Sequence, residues 1–201
     1  MDAPCVLVLS DSHGRGLFPS FDYYVPDWGV WELSLGRPTQ ELRELYNENV
    51  CELLEYSPDL VYLHSGHNDI SYHPVHNRSP QQPLACLERI LSFLDLLADK
   101  HPYSGIYFST IFPRAVGPGF DAQRKDDYNR MAADLQGVLS TVFDTEGRKY
   151  CLNSGLWRDL EAGEEMANMF NEGGLHLNET GKRSVVRGWV QTAMSSQDIH
   201  K

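Results

Sequence analysis

The chain has no long apolar run. None of its hydrophobic stretches approaches the roughly 20 residues needed to cross a bilayer, and no signal-like segment opens it. Cations are also scarce: 17 Lys and Arg stand against 28 Asp and Glu, a formal net charge of −11. A broad nucleic-acid footprint or an anionic-membrane patch needs clustered Lys and Arg, so the balance argues against both while leaving room for a small basic groove. Only four cysteines occur (Cys5, Cys51, Cys86 and Cys151), with no CxxC pair. That pattern points to buried free thiols in a reducing, cytoplasmic compartment rather than a disulfide framework or a zinc site. Low-complexity tracts, internal repeats and obvious linkers are missing as well, so residues 1–201 read as a single domain. The sequons at Asn77 and Asn178 carry no weight without secretion.

What the chain does contain is an alternation of short β-like runs and longer helical patterns. Strands are expected at residues 4–10, 29–35, 59–64, 105–111 and 148–152. Helices are expected at 38–56, 84–100, 121–143 and 179–194. Such alternation predicts an α/β fold: a three-layer α/β/α sandwich around a parallel sheet of about five strands. Ligand sites in these sheets lie beyond the carboxyl ends of the strands.

Three strand ends carry chemistry. Val6-Leu7-Val8-Leu9 breaks into Ser10-Asp11-Ser12-His13-Gly14, and Leu35-Gly36-Arg37 closes the second strand. Leu60-Val61-Tyr62-Leu63 breaks into His64-Ser65-Gly66-His67-Asn68-Asp69, and Gly173-Gly174-Leu175-His176 precedes the last helix. Ester hydrolysis needs a hydroxyl nucleophile, a base for its proton and donors for the developing oxyanion. Ser12, His176 and Asn68 are groups of those three kinds. Taken singly, Ser12 could cap a helix, His176 could be a core histidine, and Asn68-Asp69 could be turn residues.

Together these blocks resemble the SGNH (GDSL-type) hydrolase superfamily over almost the whole chain. Its Gly-Asp-Ser block corresponds to Ser10-Asp11-Ser12, its second-block glycine to Gly36, and its Gly-x-Asn-Asp to Gly66-His67-Asn68-Asp69 unchanged. Its Asp-x-x-His corresponds to Gly173 through His176. The resemblance implies the flavodoxin-like SGNH fold, Ser12 as nucleophile and His176 as general base. It also implies an oxyanion hole from the backbone N–H groups of Ser12 and Gly36 and the Asn68 amide, with Asp11 orienting the nucleophile loop. Gly173 departs from the pattern, for the family has its triad aspartate there. A backbone carbonyl could orient His176 in its place, or, less directly, Glu172.

The expected activity is that of a serine esterase hydrolysing short, acetyl-like esters of a lipid, sugar or small alcohol through an acyl-enzyme. His67, Tyr72, Phe112 and Phe170 are candidate substrate-rim residues, as is the loop from Arg114 to Phe120. The pairs His64/His67 and His73/His76 sit at a strand end and in a Pro-flanked loop, where helical ligand spacing is lost, so no metal and no organic cofactor are expected. The loss of the aspartate also allows a weakly active or non-catalytic binding module. The texture of the chain is similar to esterase domains encoded by some retrotransposons, in which nucleic-acid contact would lie outside this domain.

Overall fold

The computed structural model describes residues 3–50, 57–71, 80–109, 111–115, 122–143, 151–153 and 166–195. Its centre is one five-stranded parallel sheet: β1 (Cys5–Ser10), β2 (Gly29–Ser34), β3 (Leu60–His64), β4 (Gly105–Ser109) and β5 (Cys151–Asn153). The spatial order is β2-β1-β3-β4-β5, with Val6 opposite both Val30 and Leu60, and Leu60 opposite Gly105. The helices are α1 (Phe18–Tyr24), α2 (Thr39–Leu45), α3 (Pro83–Lys100), α4 (Ala122–Phe143) and α5 (Glu179–Ser195).

Strands β1, β3 and β4 are apolar at consecutive positions because both of their faces are covered. Successive side chains alternate between two cores. Leu7, Leu9, Val61, Leu63, Ile106 and Phe108 pack with residues of α2, α3 and α4. Val6, Val8, Leu60, Tyr62 and Tyr107 face the opposite way, against Phe21 of α1 and Val186 and Trp189 of α5. Each leucine so buried contributes about 1.5–3 kcal/mol. On the second face Tyr62 stacks on Trp189 with ring centroids 4.6 Å apart, and its hydroxyl donates to the Trp189 carbonyl at 2.9 Å.

Four of the expected strands fall within a residue or two of their expected limits; of the fifth, expected over 148–152, Cys151–Asn153 is described and residues 148–150 lie outside the described residues. The helix expected over 38–56 is regular only through Leu45 and continues as a wider π turn over Tyr46–Val50; residues 51–56 lie outside the described residues. Helix α1 was not anticipated. Its seven residues are too few to display a helical period, and Pro19, which reads as a breaker, occupies the first turn, where its missing N–H costs nothing. No helix among the described residues is long and apolar enough to cross a membrane.

Strand β1 has β2 on one side and β3 on the other, so the chain order reverses at β1 and a crevice opens above it. Backbone bonds pin its exit to both neighbours. Asp11 N–H donates to the His64 carbonyl at 3.0 Å, and Leu35 N–H donates to the Ser10 carbonyl at 2.9 Å.

Candidate active site

Above the crevice lies a cleft of about 900 Å³ whose lining includes Ser12, Gly36, Asn68, Arg114 and His176. The first four of these follow β1, β2, β3 and β4 respectively, and His176 comes from the loop entering α5. Thus one cleft unites the residues that the sequence spaces most widely.

Ser12 begins a short 3₁₀ turn, Ser12–Gly14. The cap is Asp11, whose Oδ1 accepts from His13 N–H at 3.0 Å, and this leaves the Ser12 hydroxyl out of that capping role. Gly14 makes the turn possible: a Cβ there would lie 2.5 Å from the Ser10 Cβ. The serine that replaces the usual first-block glycine is therefore accommodated by a glycine four residues on. A Cβ on Gly36 would meet the Ser12 Cβ at 3.6 Å, which puts the two residues side by side.

Asn68 follows Gly66, whose φ of +119° turns the chain sharply off β3, and a side chain at Gly66 would strike Ile111 Cδ1 at 2.6 Å. The next residue, Asp69, braces the loop. Its Oδ2 accepts from Thr39 N–H and from Thr39 Oγ1, both at 2.8 Å, while Arg89 reaches Oδ1 at 3.2 Å. Burial pushes the Asp69 carboxyl above its ordinary value despite these donors. The Asn68 amide nitrogen, by contrast, is buried with no hydrogen-bond partner among the described residues. Leaving such a donor unpaired costs about 1–3 kcal/mol.

Beneath the cleft sits a buried polar cluster. Asp11 is fully enclosed and accepts four N–H bonds: His13 N and Nδ1 at 3.0 Å on Oδ1, and His67 N and Nδ1 at 3.1 Å on Oδ2. Burial opposes ionisation of this carboxyl, yet the two histidines overcome it and hold Asp11 well below the usual carboxylate range. An Arg114 guanidinium nitrogen lies 2.9 Å from His13 Nε2. Arginine only donates, so Nε2 must accept and the His13 proton sits on Nδ1, facing Asp11. Burial, then the neighbouring His67, keeps His13 well below its ordinary pKa, consistent with a neutral ring.

His13 stacks on His67 at 4.3 Å on one side and packs against His176 at 5.1 Å on another. The His176 loop is fixed through its backbone, with Asn171 N–H donating to the His176 carbonyl at 2.9 Å and Ala115 N–H to the Gly174 carbonyl at 3.1 Å. Asn178 caps α5 through Gly181 N–H at 3.0 Å, and its amide donates to the carbonyls of Asn168 and Phe170, so its side chain is structural. The imidazole of His176 remains accessible and, among the described residues, has no hydrogen-bond partner; Glu172 is exposed and makes no bond to it. Burial, then the charges of Arg114 and Arg15, lowers the His176 pKa, which keeps the ring unprotonated and able to accept a proton at neutral pH.

The expected rim needs correction. Phe112 is fully buried, Phe170 is 5% exposed and His67 is enclosed, so these three form the floor under the cleft rather than its edge. Their rings close over the polar cluster, with Phe112 centred 4.3 Å from His67 and 5.8 Å from Phe170. Tyr72, like His73 and His76, lies outside the described residues. Asp11, His13 and His67 have their ligand-type atoms within 4.8 Å of one another, a grouping that could hold a metal. However, both carboxylate oxygens are already engaged and a guanidinium abuts His13, so a cation would have to displace an existing hydrogen-bond network. His13 was not singled out from sequence, and Arg114 only as the start of the candidate rim loop, whose residues 116–120 lie outside the described residues. Both lie just past the carboxyl end of a strand, and that position was the available signal.

No family model and no curated protein matches the sequence. Solved structures do. A lipase/acylhydrolase from Enterococcus faecalis superposes with a TM-score of 0.70 at 15% identity, covering 96% of each chain. A member of the lipolytic G-D-S-L family from Veillonella parvula gives 0.65 at 14% identity, over 94% of this chain and 98% of the other. An acetyl xylan esterase gives 0.63, also at 14% identity and with the same coverage. At such identities the likeness speaks to architecture, and it is consistent across the three: this chain has the α/β fold of the SGNH (GDSL-type) hydrolases.

Proposed function

We propose that the chain is a serine esterase that hydrolyses short, acetyl-like esters of a lipid, sugar or small alcohol. The observation that supports this best is the Asn68 amide, without a partner among the described residues and buried at a cleft that also holds Ser12, Gly36 and His176. A buried donor without a partner is expensive unless a ligand completes it, and the oxyanion of a tetrahedral intermediate would do so.

In this reading Ser12 Oγ attacks the ester carbonyl while His176 takes its proton. The carbonyl oxygen becomes an oxyanion held by the N–H groups of Ser12 and Gly36 and by the Asn68 amide. His176 then protonates the departing alkoxide and an acyl-serine remains. Water, deprotonated by His176, attacks that ester, releasing the carboxylic acid and restoring Ser12. With glycine at position 173, packing of His176 on His13 supplies the orientation a triad aspartate would give. His13 is in turn held by Asp11 and Arg114. Neither a metal nor an organic cofactor has a part in these steps.

Hydrolysis of p-nitrophenyl acetate tests the proposal, alongside the butyrate-to-decanoate series and the variants Ser12→Ala and His176→Ala. Turnover should fall by about 10⁴-fold or more in both variants, and acetate should be preferred to the longer chains. Turnover indifferent to Ser12, or none at all, would favour a binding module, the reading that Gly173 supports.

A further inference from the structure

The cleft carries a charge opposite to that of the chain around it. Among the described residues, four cations line it (Arg15, Arg114, Arg124 and Lys182) against one acid, Asp127. In a chain with 28 acidic and 17 basic residues, a lining drawn at random would be acidic. Three of the described acids around this lining are already engaged. Asp127 bonds Arg130 at 2.9 Å, and Glu32, behind the first loop, accepts from the N–H groups of Gly16, Leu17 and Phe18. Asp11 below is saturated by its four N–H donors.

Two of the cations have little compensation. Arg15 makes no ion pair among the described residues, and Lys182 meets only the largely exposed Glu179, at 3.3 Å. Arg114 is 4% exposed, spends one N–H on the neutral His13, and lies 4.0 Å over the Tyr128 ring. Arg114 and Arg15 both act on His176, so two of the four charges stand close to the reacting centre.

We infer that the substrate of this site is an ester that also bears an anionic group, a carboxylate or a phosphate, drawn in by Arg15 and Lys182 at the mouth and Arg114 at the floor of the cleft. The inference rests on the esterase reading and narrows it. A concave, positively lined site in a negatively charged body focuses its field on the opening and raises encounter with anions. The surrounding acidity repels those that approach elsewhere.

Three acetate esters and one acetyl thioester test it at pH 8: phenyl acetate (neutral), 4-acetoxybenzoate (carboxylate), 4-acetoxyphenyl phosphate (phosphate) and the thioester acetylthiocholine (cationic). Each kcat/KM is divided by the rate of hydroxide-catalysed hydrolysis of the same ester, which removes differences in leaving group. At low salt at least one anionic ester should exceed phenyl acetate by about tenfold or more, with acetylthiocholine the poorest. The advantage should shrink with added salt and approach unity in the Arg15→Gln/Lys182→Gln double variant. Comparing the carboxylate with the phosphate identifies which anion the site favours. Ser12-dependent turnover with equal normalised rates, or with acetylthiocholine preferred, would overturn this inference while leaving the esterase intact. No Ser12-dependent turnover on any of the four would overturn both.

Discussion

Asp11 is the residue on which the site rests. Its carboxylate fixes the nucleophile turn through His13 N–H, the β3 exit through His67 N–H, and both imidazoles besides. The side chains of the proposed site are simpler, and two predictions apply to them. Asn68→Ala should lower kcat about 10²–10³-fold with little change in KM, because the amide is called on only when the oxyanion forms; a comparable rise in KM would instead mark it as a ground-state contact. Arg15→Gln should move the acid limb of the kcat/KM profile to higher pH. The Arg15 charge disfavours the imidazolium, so its removal raises the His176 pKa and leaves less free base below neutrality, with the plateau above pH 8 less affected. An unmoved limb would place Arg15 outside electrostatic reach. That Ser12, Gly36, Asn68 and His176 share one cleft was legible because each has a chemically marked type beside an element boundary. The Asp11–His13–His67 cluster was not, since its histidines come from separate loops that meet only through the pairing of β1 with β3.

The elements are set by burial. Because β1, β3 and β4 are covered on both faces, their sequences show uninterrupted apolar runs rather than alternation, and they were easily found. Helix α1 and the turn after α2 escaped because short segments do not complete a period. At this scale Leu63→Ala should cost about 2–5 kcal/mol, measured as a drop in the urea midpoint at unchanged m-value, since Leu63 is fully enclosed in the first core. Gly66→Ala should be destabilising by at least about 1–3 kcal/mol, from a positive φ and a collision with Ile111 together. It should also lower turnover in whatever fraction folds, as Asn68 is two residues on. A stable, fully active Gly66→Ala protein would contradict the placement of that turn.

Across the molecule, buried neutral histidines couple folding to pH. Burial pushes the His64 pKa down to about 3 and holds His13 well below its ordinary value. In the unfolded chain both would take a proton near pH 6.5. Stability contributed by their neutrality is therefore complete above that value and lost progressively as pH falls from about 6.5 toward 3, by upwards of about 1 kcal/mol per pH unit for each ring. Asp11 works in the same direction at lower pH, since its depressed pKa adds stability that is lost only below the ordinary carboxylate range near 3.9. The urea midpoint should fall between pH 7 and pH 5; a constant midpoint would mean these rings are not buried neutral. A cleft beyond the carboxyl ends of the strands could be anticipated from the strand–helix alternation, whereas the reversal of chain order at β1 could not, since alternation leaves the strand order open. Nor could the basic lining of the cleft, because Arg15, Arg114, Arg124 and Lys182 are dispersed through an acidic sequence.

The central claim is that Ser12 carries the acyl group. Mixing the protein with p-nitrophenyl acetate, quenching in acid within the first turnovers and mapping peptides by mass spectrometry tests it directly. The account predicts a single acetyl group on the Ser12 peptide, absent from Ser12→Ala and strongly diminished in His176→Ala. Hydrolysis proceeding with Ser12 unmodified, or with the acetyl on a lysine or another serine, would contradict it.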